Sequence, residues 1–346
     1  MVLKHRKFRR LAPALSIAAA TLMLSACSGN ELLINVAGST LAYPLYSQWF
    51  SQYHELHPAV EFNYGSIGSG GGIQQLRTGI VDLGASDMPL DDALLRTFKA
   101  KVLQFPTALG AVVPTYNLPG VRTSLKFTPR AVAGIYLGQI TKWSAPEIRR
   151  ANPGVTLPDG KIIVIHRSDG SGTTYVWTNY LSKISPEWKR RVGCNTAVNW
   201  PAGLGGKGSE GIAGLIEQTP NSIGYVELTY ALQNHLPYGE VENSSGAYIE
   251  ATLASVTDAA ASSSSALLKD IRVSITNAPG RADYPVSTFT YLLVPTAIQD
   301  PAKRDAIKDF LYWMLTDGQK SVAQLSYARL PQVVIGEEMS EIREIR

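Results

Sequence analysis

The sequence predicts an α/β protein of about two domains, on three observations. Short apolar runs alternate with helical stripes; small hydroxyl and glycine residues sit where those runs turn into helices; and 346 residues with 45% hydrophobic content can bury a large core. Residues 32–36 are a short apolar run. Gly38-Ser39-Thr40 follows, and Leu45, Trp49, Tyr53 and Leu56 then mark a helical stripe that stops before Pro58. Residues 60–64 alternate as a strand and lead into the glycines of 68–72, after which Ile73, Leu76 and Ile80 continue a second helix. Residues 80–89 read as a buried apolar strand ending in Ser86-Asp87. A further strand, 161–165, runs through His166 and Arg167 into a glycine-serine loop and then a helix over 174–184. Residues 251–268, rich in Ala and Ser, form the one low-complexity patch and read as an exposed helix or loop. No repeat of fixed period is present.

The N-terminus points to export. Lys4, Arg6, Lys7, Arg9 and Arg10 precede an apolar run over 11–24 that is short for a membrane span. It closes in Leu24-Ser25-Ala26-Cys27, similar to the bacterial lipobox, after which Cys27 would carry a lipid. The alternative is ordinary cleavage among the small residues, with no such role for Cys27. Five of the 32 basic residues lie in this leader, which leaves 27 against 28 acidic ones. The basic balance therefore belongs to the leader, and no basic surface for nucleic acid is expected. Cys194 has only Cys27 as a partner, so no disulfide is expected.

Three turns share one chemistry: Gly38-Ser39-Thr40, the run 68–72, and Arg167-Ser168-Asp169-Gly170-Ser171-Gly172-Thr173. The first turn of a helix has amides without an intrahelical partner and the positive end of its dipole, so such turns hold small anions. Arg167 adds a permanent cation whose planar fork matches two oxygens of a tetrahedral oxyanion. Asp169 is placed to hold Arg167 or to cap the helix, and a purely capping turn is the competing reading of this segment. Asp87 beside a dianion would be repulsive unless the ligand carries a proton that the carboxylate accepts. Phosphate at neutral pH has that proton, and sulfate does not.

These blocks occur in an order that resembles the phosphate-binding proteins of bacterial ABC importers. Alongside Ala37-Gly38-Ser39-Thr40, Gly68-Ser69-Gly70-Gly71, residues 82–87 and 167–173, the match takes in residues 203–208, Ile223-Gly224-Tyr225-Val226-Glu227, Gln104-Phe105-Pro106-Thr107, residues 135–138 with Lys142-Trp143, and Ser326-Tyr327-Ala328 with Leu330-Pro331. It spans nearly the whole chain after the leader. The resemblance implies a type II periplasmic binding protein of the Venus-flytrap kind, each of its two lobes a mixed central sheet flanked by helices. Lobe I would be 27–108 with 285–346, lobe II 109–284, and residues 1–26 the signal peptide, with crossings near 105–111 and 282–287. Phosphate would be bound by Thr40, the Leu41 N–H, Ser69, Asp87, Arg167, Ser171, Gly172 and Thr173, with Asp169 orienting Arg167. The chain departs from the family pattern at Leu41, where an aromatic is frequent, and at Gly70, where a second serine is. The implied protein is no enzyme and uses no cofactor or metal. It would be a monomer that hands inorganic phosphate to permease subunits, lipid-anchored through Cys27 at the outer face of the cell membrane or free in the periplasm.

Competing chemistry is weaker. Gly203-x-Gly205-x-x-Gly208 matches a dinucleotide fingerprint, but Trp200-Pro201 stands where the buried strand should lead into it. A phosphomonoester hydrolase, or a receptor for a different oxyanion, is the alternative. Neither Ser69 nor Ser171 sits in Gly-x-Ser-x-Gly, however, and His166, beside Arg167, is expected on the opposite side of its strand. His54 and His57 have no third ligand near them in sequence and read as surface residues rather than a metal site.

Overall fold

A computed structural model describes residues 31–346, so the leader and Cys27 lie outside the described residues. The chain opens with β1 (Leu32–Gly38), α1 (Tyr43–Leu56), β2 (Val60–Ser66), α2 (Ser69–Thr78), β3 (Leu83–Ser86) and the single turn α3 (Asp92–Leu95). Pro44 starts α1 where no amide is needed. The helix buries Leu45, Tyr46, Trp49, Phe50 and Tyr53, and ends where the His57 N–H donates to the Tyr53 carbonyl, just before Pro58. Its last residue, Leu56, is 62% exposed, so the buried stripe closes one step earlier than the sequence predicted. Ile80 also departs from expectation. Gly79, at φ +75°, ends α2 in a left-handed turn that carries Ile80 into solvent, and the next strand starts only at Leu83.

Next come β4 (Val102–Asn117), β5 (Lys126–Phe127), α4 (Pro129–Tyr136), α5 (Pro146–Ala151), β6 (Ile163–Arg167), α6 (Gly172–Ile184), α7 (Pro186–Arg191), β7 (Leu204–Gly206), α8 (Gly208–Gln218), β8 (Ser222–Glu227) and α9 (Leu228–Gln233). The chain finishes with β9 (Glu240–Glu242), β10 (Tyr248–Ile249), α10 (Leu253–Ser262), α11 (Ser264–Leu267), β11 (Ser287–Pro295), α12 (Pro301–Leu315) and α13 (Gln332–Glu341). The Ala/Ser patch is mostly α10, not an exposed segment. Its small residues Ser255, Val256, Ala259 and Ala260 are buried against β4 and β11, where larger side chains would hold the helix off. The glycine run 203–208 contains the three-residue β7 and opens α8, so its strand lies inside the motif instead of ahead of it.

Eight strands form one mixed sheet in the order β2-β1-β3-β11-β4-β8-β6-β7, with a small sheet β10-β9-β5 beside it. β1 runs parallel to both β2 and β3, and β6 runs parallel to β7 and β8. The sixteen-residue β4 joins these two parallel groups. It pairs antiparallel with β11 from Val102 to Ala111, then with β8 from Val112 to Asn117. A bulge in β4, where Pro106 and Ala108 stand opposite Tyr291 and Thr290 of β11, leaves Thr107 as the extra residue. Each parallel group has an aromatic centre. Phe50 stacks on Phe62 at 4.7 Å against Phe310 and Tyr53 in one, and Trp177 stacks on Tyr225 at 5.4 Å against Tyr136 in the other. Among the described residues no helix is long and apolar enough to cross a membrane.

Candidate anion-binding site

The site forms where β1, β3 and β6 end. At the end of β1, Gly38 has φ +150°, and a Cβ there would stand 1.9 Å from the Ala85 carbonyl, so only glycine lets the chain pass β3 this closely. The turn then delivers Ser39, Thr40 and Leu41, all buried. The Leu41 side chain is directed into the core near Gly110 of β4, which leaves its backbone for any polar role. The Ser39 hydroxyl accepts from the Ala42 N–H at 3.1 Å and donates to Asp87 Oδ1 at 2.6 Å.

Asp87 follows β3 and is 1% exposed. Its Oδ1 also accepts from Thr290 Oγ1 at 2.7 Å, a donor on β11 opposite the bulge in β4. Its Oδ2 is buried and has no partner among the described residues. Burial pushes this carboxyl up to about 6, against the opposing pull of the Ser39 and Thr290 hydroxyls and of the Arg167 charge. Ser69, at the start of α2, accepts from the Asp87 N–H at 3.2 Å.

Arg167, the last residue of β6, is 3% exposed. Its Nε and Nη2 grip Asp169 at 2.7 and 2.5 Å, while Nη1 donates to Thr40 Oγ1 at 2.9 Å. Burial pushes the Asp169 carboxyl up, but the Arg167 hydrogen bonds, the guanidinium charge and the Gly208 N–H outweigh it and hold the group below the usual carboxylate range. Ser171 caps α6 by accepting from the Thr174 N–H at 3.1 Å, so the helix starts two residues earlier than the sequence predicted. That places Gly172 and Thr173 in the first turn, with amides outside the helical ladder. Thr173 Oγ1 is buried without a partner among the described residues.

The two halves of the sheet meet over this point. The Gly70 N–H donates to the Gly170 carbonyl at 2.9 Å, and a Cβ on Gly172 would stand 2.3 Å from both Asp87 Oδ2 and Ser69 Oγ. The fold thus draws Thr40, Ser69, Asp87, Arg167, Ser171, Gly172 and Thr173 to one junction, with Asp169 behind Arg167. At Gly70, where a serine is frequent in the resembling family, a Cβ would lie 3.1 Å from the Gly170 Cα.

Sequence reasoning missed Thr290, Ser209 and Tyr225. Ser209 Oγ lies 2.8 Å from Thr40 Oγ1, and the Tyr225 hydroxyl accepts from the Arg167 N–H at 3.2 Å and bonds Thr174 Oγ1 at 2.6 Å. Thr290 is 203 residues from Asp87 and carries no local signal, whereas Ser209, a hydroxyl at a helix start after Gly208, had the pattern of the three turns. The His166 ring stacks on Trp200 at 4.9 Å, with Nδ1 on its neighbour's carbonyl. His54 bonds the Val60 carbonyl and His57 stacks on Tyr53. Among the described residues, no group of three His, Cys, Asp or Glu could hold a metal.

A family model described as a PBP superfamily domain matches residues 21–318. The chain is 44% identical over 308 residues to "Phosphate-binding protein PstS" of Xylella fastidiosa, covering 89% of this chain and 84% of that protein. It is 42% identical to the protein of the same name from Pasteurella multocida, covering 87% of each. Two solved structures share the fold. One is a high-affinity periplasmic phosphate-binding protein, PfluDING, bound with phosphate (TM-score 0.71, 18% identity, 90% of this chain and 94% of that one). The other is a putative phosphate ABC transporter substrate-binding protein from Clostridium perfringens with bound phosphate (TM-score 0.63, 19% identity, 86% of this chain and 100% of that one).

Proposed function

Because the chain belongs to the PstS family of phosphate-binding proteins, with their two-lobed type II fold, we propose that it captures inorganic phosphate between its lobes and delivers it to an ABC permease for import. It is a binding protein and performs no covalent chemistry. The observation that carries the ligand assignment is Asp87. A buried carboxylate with one oxygen unpartnered among the described residues, beside the first turn of α6 and near the Arg167 cation, suits an anion that brings its own proton. Thr40, the Leu41 N–H, Ser69, Asp87, Arg167, Ser171, Gly172 and Thr173 are the proposed phosphate contacts, with Asp169 orienting Arg167. Lobe closure would strip the anion of water and replace that water with these donors.

The lobes divide as 27–108 with 285–346 and as 109–284. Supporting that division, β4 changes partner between Ala111 and Val112. Cys27 would carry the lipid that anchors the exported protein, after removal of 1–26, at the outer face of the cell membrane, where it meets its permease as a monomer. Titration calorimetry of the leaderless protein, stripped of endogenous ligand, tests the central reading at neutral pH. Phosphate is expected to bind tightly at one to one with sulfate silent. Silence toward phosphate would remove the ligand assignment and leave the fold. Turnover of a generic phosphomonoester would overturn the pure receptor. Trp177, stacked on the Tyr225 ring that touches Arg167, offers a fluorescence readout of the same event.

A further inference from the structure

Three successive carbonyls of the turn after β1 each accept from a phenol. Ser39 O takes Tyr64 at 2.6 Å, Thr40 O takes Tyr230 at 2.8 Å, and Leu41 O takes Tyr327 at 2.6 Å. In a trans peptide the N–H points opposite to the C=O of the same unit. Holding the Ser39 and Thr40 carbonyls therefore fixes the direction of the Thr40 and Leu41 amides, two of the proposed ligand donors. The three phenols are not equivalent. Tyr64 lies on β2, beside the turn's own strand, and Tyr327 belongs to the C-terminal segment, whose Gly318 carbonyl and Ser321 hydroxyl accept from Trp49 of α1 in the same half. Tyr230 lies on α9, which packs on β8 and β4 in the other half.

Thr40 is gripped a second time from that other half. Its hydroxyl meets Ser209 Oγ at 2.8 Å and Arg167 Nη1 at 2.9 Å. Ser209 and Tyr230 are 1% and 5% exposed. We infer that Tyr230 and Ser209 are positioning residues that latch Thr40 across the cleft, so that lobe opening must break both contacts before the anion leaves. The inference rests on the phosphate reading above and adds to it what sets the rate of release. Glu210, next to Ser209 on α8, tunes the latch. The Tyr230 phenol has one proton and two acceptors, Thr40 O at 2.8 Å and Glu210 Oε1 at 2.9 Å, so the carboxylate competes with the latch for it.

The test is a chase of radiolabelled phosphate from the leaderless protein, with melting of the ligand-free form alongside. Tyr230→Phe and Ser209→Ala should each release phosphate roughly three- to tenfold faster, the value of one net hydrogen bond. Association rate, phosphate-to-sulfate preference and ligand-free melting temperature should stay unchanged, because the contacts join the lobes only on closure. Glu210→Gln, whose amide can donate to the phenol oxygen and free its proton for Thr40, should slow release, and the slowing should vanish in a Tyr230→Phe background. Wild-type release from both single variants, in protein that still binds phosphate at one to one, would overturn the latch and leave the binding reading standing. A matching fall in ligand-free melting temperature would make the residues structural and overturn it equally. If Glu210→Gln still slows release without the phenol, lost charge is responsible and the tuning role falls. A wild-type protein that binds no phosphate would instead sink the reading on which the latch rests.

Discussion

Arg167 and Asp87 are both buried charges at the proposed site, and the fold treats them in opposite ways. Two of the arginine's nitrogens are committed to Asp169 and a third to Thr40, so its charge is partly neutralised and its geometry fixed in advance. The aspartate has neutral hydroxyl donors on Oδ1, from Ser39 and Thr290, and its buried Oδ2 has no partner among the described residues. A buried carboxylate without a cationic partner is costly, and its raised pKa of about 6 records that cost. The difference assigns them separate work. The arginine side supplies attraction that any small oxyanion can use; the aspartate side supplies an acceptor that only a proton-bearing one can satisfy.

The widest separation of these roles comes from Arg167→Ala. It removes the buried cation and leaves Asp169 without its partner, a loss of about 3 kcal/mol or more, roughly 100-fold in phosphate affinity by calorimetry. Phosphate and any sulfate binding should weaken together; a change confined to their ratio would break the division of labour. Gly172→Ala comes next. Its new methyl would collide with Asp87 Oδ2 and Ser69 Oγ across the cleft, and overpacking of about 1–3 kcal/mol should weaken phosphate roughly 5- to 100-fold. The ligand-free protein should melt at its wild-type temperature, since the clash arises only when the lobes close.

Asp87→Asn tests the other side. The Asn carbonyl still accepts from Ser39 and Thr290, while its amide turns the free position from acceptor to donor. Phosphate affinity should fall modestly, and the preference for phosphate over sulfate should shrink by roughly tenfold or more in competition titrations. Undiminished discrimination would take selectivity away from Asp87 and leave the comparison without its second half.

What was legible in the sequence divides along the same line. The donor turns were readable because each is local: glycine, hydroxyl and helix start lie within a few residues, and the fold keeps them together at 38–40, 68–72 and 167–173. The strand order was not, because β11 inserts between β3 and β4, and β4 changes partner from β11 to β8, all over long separations. Thr290 was missed for that reason, since a bulge in one strand and a turn after another bring it to Asp87. The periodic stripes held in α1 and α2 but failed at Leu56 and Ile80, where a helix end and the left-handed Gly79 outweigh periodicity. The Ala/Ser patch misled because composition does not report which face of a helix is covered, and α10 uses its small residues to pack closely.

The finest test varies pH and leaves the chain intact. In the folded protein the Asp87 carboxyl is raised from 3.8 to about 6, above its value in an unfolded chain. The native state therefore holds that proton more tightly than the unfolded one. Ionising Asp87 costs stability progressively between about pH 4 and 6, and the full cost is present above 6. At pH 8 the ionised carboxylate repels sulfate. As pH falls through about 6 the carboxyl becomes a donor, and sulfate should begin to compete with phosphate, gaining at most tenfold per pH unit above the pKa and levelling below it. Asp87→Asn should show no such rise, because its amide donates at every pH. A sulfate profile that is flat in the wild-type protein, or equally sloped in both, would mean that the proton on the anion is read by some group other than Asp87.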